Sequence, residues 1–323
     1  MNVLVTGGAG FIGSHVAEAL VARGHPVVVV DDLSSGRREN VPDGADFVLG
    51  DIRDDALLER VFTTYRPRWV NHHAAQTSVV RSAAAPLIDA EINILGTLRL
   101  LEVCARHSVE YFVLASTGGA MYGDIPDGQR ASADTCPSAP ISPYGCSKLA
   151  AEIYVRASGL PASILRYANV YGPRQDPHGE AGVIAIFCER LRRGEPLTIY
   201  ARHAPGDVGC VRDYVFVDDV VRANLAAHDG QLSNATLDVG TGVGTSTRAL
   251  AEALRGRLDA RSPLEDAGPR PGDVGRSVLD PREFNATLGP LTPLARGLDE
   301  TVAWFRAGAA TPTTTSTSTT ARS

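Results

Sequence analysis

The stretch Thr6-Gly7-Gly8-Ala9-Gly10-Phe11-Ile12-Gly13 constrains the fold of this chain more than any other. Before it, Val3-Leu4-Val5 is a short apolar run with β-branched residues, which predicts a buried strand. After it, Ser14 to Arg23 repeats apolar residues at helical spacing. A strand, a glycine turn and a helix N-terminus form a device for holding a pyrophosphate. Small residues let the backbone approach the anion, and the free N–H groups and the helix dipole stabilise its charge. Gly8, Gly10 and Gly13 fit G-x-G-x-x-G, while Gly7, Gly10 and Gly13 fit G-x-x-G-x-x-G. Glycine-rich turns also end ordinary strands, so context decides. Here Val27 to Val30 makes a second strand ending in Asp31-Asp32. An acid there is placed to hydrogen-bond the adenosine ribose hydroxyls and to repel a 2′-phosphate. The expected ligand is NAD rather than NADP, with Arg37 and Arg38 expected on a solvated loop.

At 323 residues the chain can bury a large core in one or two domains. A net charge of −6 without a basic cluster argues against nucleic-acid binding. No apolar run reaches membrane length, and the chain enters its first strand at once, so neither a membrane span nor a signal peptide is expected. Cysteines 104, 136, 146, 188 and 210 are odd in number and lack a C-x-x-C pair. They read as reduced thiols of a cytoplasmic protein, not as a disulfide frame or a metal site. Gly308 to Ser323, mostly Thr, Ser and Ala, reads as a disordered tail.

Strand and helix patterns alternate through the first half: a strand at 46–49, a helix at 54–65, a strand at 69–71, a helical stretch at 86–107 and a strand at 111–115. This alternation predicts an α/β fold, a Rossmann-type doubly wound parallel sheet with helices on both faces. From about Ala168 the rhythm breaks: a polar loop at 171–180, a helix at 183–193, a strand at 212–219 entering another helix, and an irregular loop at 268–273. We expect an NAD-binding domain over 1–167 with a return segment at about 212–241. A substrate-binding lobe would take 168–211 and 242–307, covering the edge of the sheet where ligands of open α/β folds sit.

Three features converge on that edge. Tyr144 and Lys148 lie four apart on a helix opening after Pro143, so they share one face. An ammonium beside a phenol stabilises the phenolate and lowers its pKa from about 10 toward neutrality, which makes Tyr144 a usable base. Ser116 and Thr117, after the fifth strand, offer hydroxyls to a substrate oxygen undergoing oxidation. Arg166 and Arg174 after a sixth strand, with Arg212 and Arg270 later, offer donors to a second phosphate-bearing ligand. Each feature alone has a plain reading as surface charge or turn.

Together, the glycine turn, Asp31, Tyr144-x-x-x-Lys148, Asn169-Val-Tyr-Gly-Pro-Arg174 and Arg212-Asp-Tyr214 resemble the extended short-chain dehydrogenase/reductases, the NAD-dependent epimerases and dehydratases. Within these the chain is most similar to the bacterial UDP-glucose (UDP-galactose) 4-epimerases, from Met1 to about Arg306. The resemblance implies bound NAD, a UDP-sugar and 4-epimerisation through a transient 4-keto sugar, with Tyr144, Lys148 and Thr117 catalytic. On the cofactor it implies Gly7, Gly10, Phe11, Ile12 and Gly13 at the pyrophosphate. Asp31, Asp32, Leu33, Ser34, Ser35 and Gly36 would hold the adenosine ribose, with Asp51 and Ile52 at the adenine. Ala74, Ala75, Gln76, Asn93, Ser116, Tyr144, Lys148 and Tyr167 would line the rest of the channel. On the substrate it implies Thr117, Tyr144, Asn169, Arg174, Arg212, Arg270, Asp273 and Ser277. The family's helices corresponding to 86–107 and to that after Tyr144 form a dimer interface, so a homodimer is expected.

The chain departs from the family pattern in four places. Gly118 stands where the family places its catalytic hydroxyl, so Thr117 is the candidate and Ser116 the second. The helix after Lys148 ends about one turn early, at Gly159-Leu160, which bears on the dimer. The segment 201–211 is longer than the family's turn and is read as an enlarged pocket rim. Ser277 stands where some 4-epimerases have a tyrosine that crowds the sugar 2-position, which leaves room for an N-acetyl group. Two other readings stay open: a nucleotide-sugar dehydratase or decarboxylase on the same scaffold, and a non-catalytic NAD-binding protein. Gly118-Gly119 lacks the acid pair that a 4,6-dehydratase places there.

Overall fold

The structure is a computed structural model that describes residues 1–178, 182–270 and 272–309. Seven parallel strands form its main sheet: β1 (Val3–Thr6), β2 (Val27–Asp31), β3 (Ala45–Leu49), β4 (Trp69–His72), β5 (Tyr111–Thr117), β6 (Ala162–Tyr167) and, later in the chain, β10 (Thr236–Val239). Their order is β10-β6-β5-β4-β1-β2-β3, so the direction of winding reverses between β1 and β4. At such a switch point the loops on the two sides diverge and open a crevice above the C-terminal ends of the strands.

The strands read as continuous apolar runs because helices cover both faces. All residues of β2 and β5 are buried. On one face, α2 (Asp55–Tyr65) and α6 (Pro143–Ala157) lie with α5 (Gly96–Arg106). They bury Leu58, Phe62, Leu100 and Val155 against Leu4, Phe112 and Ile164. On the other, α1 (Phe11–Ala22) sets Val16, Ala17 and Leu20 against Val3, Val5 and Val29. The side chains of Leu4 and of Val3 and Val5 thus divide between the two faces, as the pleat requires. The long helical stretch after β4 is resolved into α3 (Val79–Ala84), α4 (Pro86–Ala90) and α5, with one π-helical turn at Glu91–Leu95 joining the last two. Such turns mark places where a helix is re-aimed.

The second half forms a lobe with its own core, in which Tyr171, Phe187 and Phe216 meet Leu250, Leu254 and Leu298. It contains β7 (Asn169–Tyr171), α7 (Val183–Arg192), β8 (Leu197–Tyr200), β9 (Val211–Phe216), β11 (Gly244–Ser246), α9 (Thr247–Leu258), β12 (Leu264–Ala267) and β13 (Arg276–Ser277). One feature differs from the sequence expectation. The strand at 211–216 does not return to the main sheet; β9 pairs with β7, β11 and β13. The chain rejoins the main body with α8 (Val217–His228), whose Val221 and Leu225 pack with the α1 layer, and then β10. The short helix α10 (Arg282–Leu288) and α11 (Leu294–Ala309) complete the chain. The tail expected from Gly308 lies outside the described residues from residue 310 onward.

Leu100 is fully buried between α5 and the sheet. Leu100→Ala should lower the unfolding free energy by about 3 kcal/mol without changing the denaturant slope, read by urea titration.

Candidate active site

The glycine turn is tight for a reason visible in its contacts. An added Cβ on Gly13 would lie 2.2 Å from the carbonyl oxygen of Gly7, so only glycine lets α1 start this close to β1. Gly7 itself has φ +68 and would press a Cβ to 2.6 Å from the backbone nitrogen of Ala74, at the end of β4. The first turn of α1 holds no acidic residue, and no side chain caps it. Its N–H groups face the crevice as an open anion cradle, which fits the diphosphate of a dinucleotide.

Beside this cradle, Asp31 accepts from the backbone N–H of Ala9 at 2.9 Å and of Leu33 at 2.8 Å. Its carboxyl is pushed above the ordinary range, chiefly by burial. One carboxylate therefore ties β2 to the glycine turn and faces the crevice where ribose hydroxyls would donate. Of the two arginines nearby, Arg37 lines the cavity and pairs there with Asp176 at 3.4 Å, while Arg38 lies over the Phe47 ring at 4.7 Å. Asp51 is clasped by Arg53 at 2.6 Å, which lowers its pKa.

The crevice continues as one cavity of about 600 Å³ that runs from the glycine turn to Arg212 and Asp273. Ser142 caps α6 by accepting from the Gly145 N–H at 3.1 Å, and Pro143 occupies its first turn. These signals fix where the helix starts, and so place Tyr144 and Lys148 on the cavity wall. Lys148 is buried, and burial lowers its pKa to about 8 against the support of Glu152 and Asp89. A cation held in so dry a place stabilises a neighbouring phenolate strongly. Thr117, the last residue of β5, also lines the cavity and accepts from the Ala120 N–H at 3.2 Å, leaving its own proton for a ligand.

The alternatives to Thr117 are otherwise occupied. Ser116 donates to Glu152 at 2.6 Å. A Cβ on Gly118 would sit 2.5 Å from Leu279, so that position turns toward packed side chains. Of the residues expected at the cofactor, Gly7, Gly10, Phe11, Ile12, Gly13, Asp31, Asp32, Ser34 and Ser35 line one end of the cavity. Asp51 and Ile52, after the edge strand β3, line it beside Asp31, and Ala74, Ala75, Gln76, Ser116 and Tyr167 line it toward β5 and β6. Leu33, Gly36 and Asn93 stand behind this wall. Leu33 packs into the α1 layer, while Gly36 lies against Asp31 and Ala9. Asn93 bonds both backbone groups of Gln76 at 2.9 Å and so shapes the loop after β4.

Of the substrate set, Asn169, Arg174, Arg212 and Asp273 reach the cavity. Arg174 does so beside α1, with its guanidinium on Glu18 at 2.6 Å. Arg270 pairs with Asp273 at 2.8 Å and lies over the Tyr200 ring, outside the lining. Ser277 is buried in the small sheet next to Arg212. Arg166, read as a ligand donor, instead turns into the interior and grips Glu152 at 2.6 Å. The segment 201–211 does not form a pocket rim. It is a loop braced by Asp207, which accepts from the backbone of Arg202, His203, Ala204 and Gly209, and it is tied outward by Arg202 on Asp127 and by Arg248 on the Asp207 carbonyl. Sequence reading passed over Asn40, Arg53, His73 and Arg81, which also line the cavity. His73 is held near pKa 3 by burial and by Lys148, hence neutral, and stacks on Tyr167.

Comparison with known proteins agrees with this geometry. The NAD dependent epimerase/dehydratase family matches residues 3–240. A UDP-glucose 4-epimerase of Mycolicibacterium smegmatis is 44% identical over 317 residues, 95% of this chain and 99% of that protein. The crystal structure of the Thermus thermophilus UDP-glucose 4-epimerase in complex with NAD superposes with a TM-score of 0.90 at 50% identity, covering 95% of this chain and 99% of that one. The Thermotoga maritima UDP-glucose 4-epimerase with UDP-glucose superposes with a TM-score of 0.90 at 46% identity, over 96% and 100%.

Gly118→Ser should test which way residue 118 faces. The added side chain meets Leu279, so we expect a loss of about 1–3 kcal/mol in unfolding free energy from overpacking, measured by thermal or urea denaturation.

Proposed function

This chain belongs to the NAD dependent epimerase/dehydratase family, and from that membership we propose that it interconverts UDP-glucose and UDP-galactose by epimerisation at C4. One observation carries the reading: Tyr144, Lys148 and Thr117 line the same cavity that begins at the glycine turn and ends at Arg212 and Asp273. A sugar nucleotide anchored at the far end reaches these three groups with its hexose. The close relation to epimerases with NAD and with UDP-glucose supports the same assignment.

NAD, when bound, supplies a hydride acceptor that is restored within each cycle. The residues of the chain do the rest. Tyr144, as phenolate, removes the proton from the sugar O4 and later returns it. Lys148 keeps the phenolate accessible near neutral pH through its charge. Thr117 donates to the same oxygen and holds it against the base. Asn169, Arg212 and Asp273 anchor the uridine diphosphate, so the 4-keto sugar turns over without leaving. We assign Arg174, beside α1, to the diphosphate of the cofactor. His73, neutral and stacked on Tyr167, adds no competing charge.

We place the NAD-binding domain at 1–167 with α8 and β10 returning to it, and the substrate-binding lobe in the remainder. We also propose a homodimer built on α4, α5 and α6. Leu87 is 79% exposed and Ile153 55%, and Tyr154 is exposed beside them, an apolar set on helices that meet. A cytoplasmic location accords with five free cysteines and with the absence, among the described residues, of a helix long and apolar enough to cross a membrane. From the small residue at 277 we extend the proposal to N-acetylhexosamines, although Ser277 is buried beside Arg212 and does not itself line the cavity. UDP-N-acetylglucosamine should turn over alongside UDP-galactose; inertness of the first beside activity of the second removes that extension.

Tyr144→Phe should lower kcat by at least about a thousandfold while NAD still binds, and Thr117→Val by about ten- to a hundredfold. Both are read by proton NMR of the C4 epimers. Retained activity in Tyr144→Phe would refute the assignment. Ile153→Glu should shift the sedimentation coefficient to that of a monomer.

A further inference from the structure

Lys148 is the only lysine of the chain; every other strong side-chain cation is an arginine. It lies between two buried networks, each centred on a carboxylate that does not line the cavity. On one side stands Glu152, one turn further along α6 and fully buried. It receives Ser116 at 2.6 Å from the end of β5, and two bonds from Arg166 of β6 at 2.9 and 2.6 Å. On the other side stands Asp89 of α4, 1% exposed. It receives the Gln76 side chain at 2.7 Å and that of Asn93 at 3.1 Å, and Asn93 also reaches Ser147 of α6 at 3.1 Å. Helix α6 is thus tied by one network to the strand that ends in Thr117, and by the other to the loop that ends β4.

The two carboxylates differ in what balances them. Glu152 is paired with Arg166 and with the partly exposed Arg156 at 3.0 Å. Asp89 forms no ion pair among the described residues; its partners are neutral amides. Whatever else balances it, a buried carboxylate favours the charged form of a buried ammonium nearby, and both support Lys148 against the desolvation that lowers its pKa. The other groups that face Lys148 do not substitute. Tyr144 of α6 is the phenol it serves, Ser116 and Thr117 of β5 are uncharged, and His72 of β4 and His73 just after it are held neutral by burial.

We infer that Glu152 and Asp89 are positioning residues that keep Lys148 protonated in a dry site, Glu152 the stronger of the two. The acid–base unit is then a phenol and an ammonium held between two buried carboxylates. Its consequence for turnover rests on the proposed function; its ionisation does not.

The single lysine makes the test direct. Protein grown on ε-carbon-labelled lysine gives one side-chain resonance, whose pH titration in NAD-saturated protein reads Lys148 alone. Removing an anion makes the ammonium less favourable, so the midpoint must fall. In Asp89→Asn, which keeps an acceptor at the same place, we expect a drop of about one pH unit or more. In Glu152→Gln the drop should be at least as large and in the same direction, because Arg166 keeps its positive charge when its partner loses the negative one. If Glu152→Gln does not fold, Asp89→Asn decides alone. A midpoint that stays or rises in Asp89→Asn overturns the inference, since a purely structural role would leave it unmoved. Because the readout needs no turnover, it separates this inference from the epimerase reading, which a lack of epimerisation in wild-type protein would sink by itself.

Discussion

The contact between Gly13 and the carbonyl of Gly7, too close for any Cβ, sets the geometry to which the rest of the site is referred. It starts α1 directly above β1, leaves the helix N–H groups uncapped, and brings Ala9 within reach of Asp31 at the end of β2. Gly7 in turn presses against the backbone of Ala74 beyond β4. The two strands flanking the switch point are thereby locked to one anion cradle. A ligand diphosphate held there directs the remainder of the molecule along the crevice, toward the ends of β5 and α6.

At that second station burial is the controlling variable. Lys148 is useful because it is dry, yet dryness is what works against its charge. The fold resolves this by surrounding α6 with polar groups that satisfy one another away from the cavity: Glu152 with Ser116 and Arg166, Asp89 with Gln76 and Asn93. The same bonds fix the distance between Thr117 and the helix that carries Tyr144. Chemistry and rigidity share their causes here, and a hydroxyl at Gly118 would have to displace Leu279 to join them.

What was legible in the sequence was local. The valine run of β2 reads as a strand covered on both faces, and Ser142-Pro143 reads as the start of a helix, because each signal is complete within a few residues. What was not legible depends on distant partners. Val211–Phe216 followed by a helix looks the same whichever sheet it joins, and only its pairing with β7, β11 and β13 places it in the lobe. Arg166 read as a ligand donor because no local sign reveals Glu152 on the inner side. Glu152 and Asp89, on helices, resemble ordinary solvated charges until the fold buries them. The choice of Thr117 over its neighbours gained its physical reason only when Leu279, from the far end of the chain, was seen filling the space beside Gly118.

The most direct test follows the hydrogen at C4. With UDP-galactose deuterated at that carbon and no added reductant, the account predicts UDP-glucose that keeps its deuterium at C4 through many turnovers, since the sugar never leaves and the cofactor is restored each cycle. Product in which the label is lost, or conversion that stops after a single equivalent with reduced cofactor accumulating, would contradict an epimerase and point to net oxidation at this site.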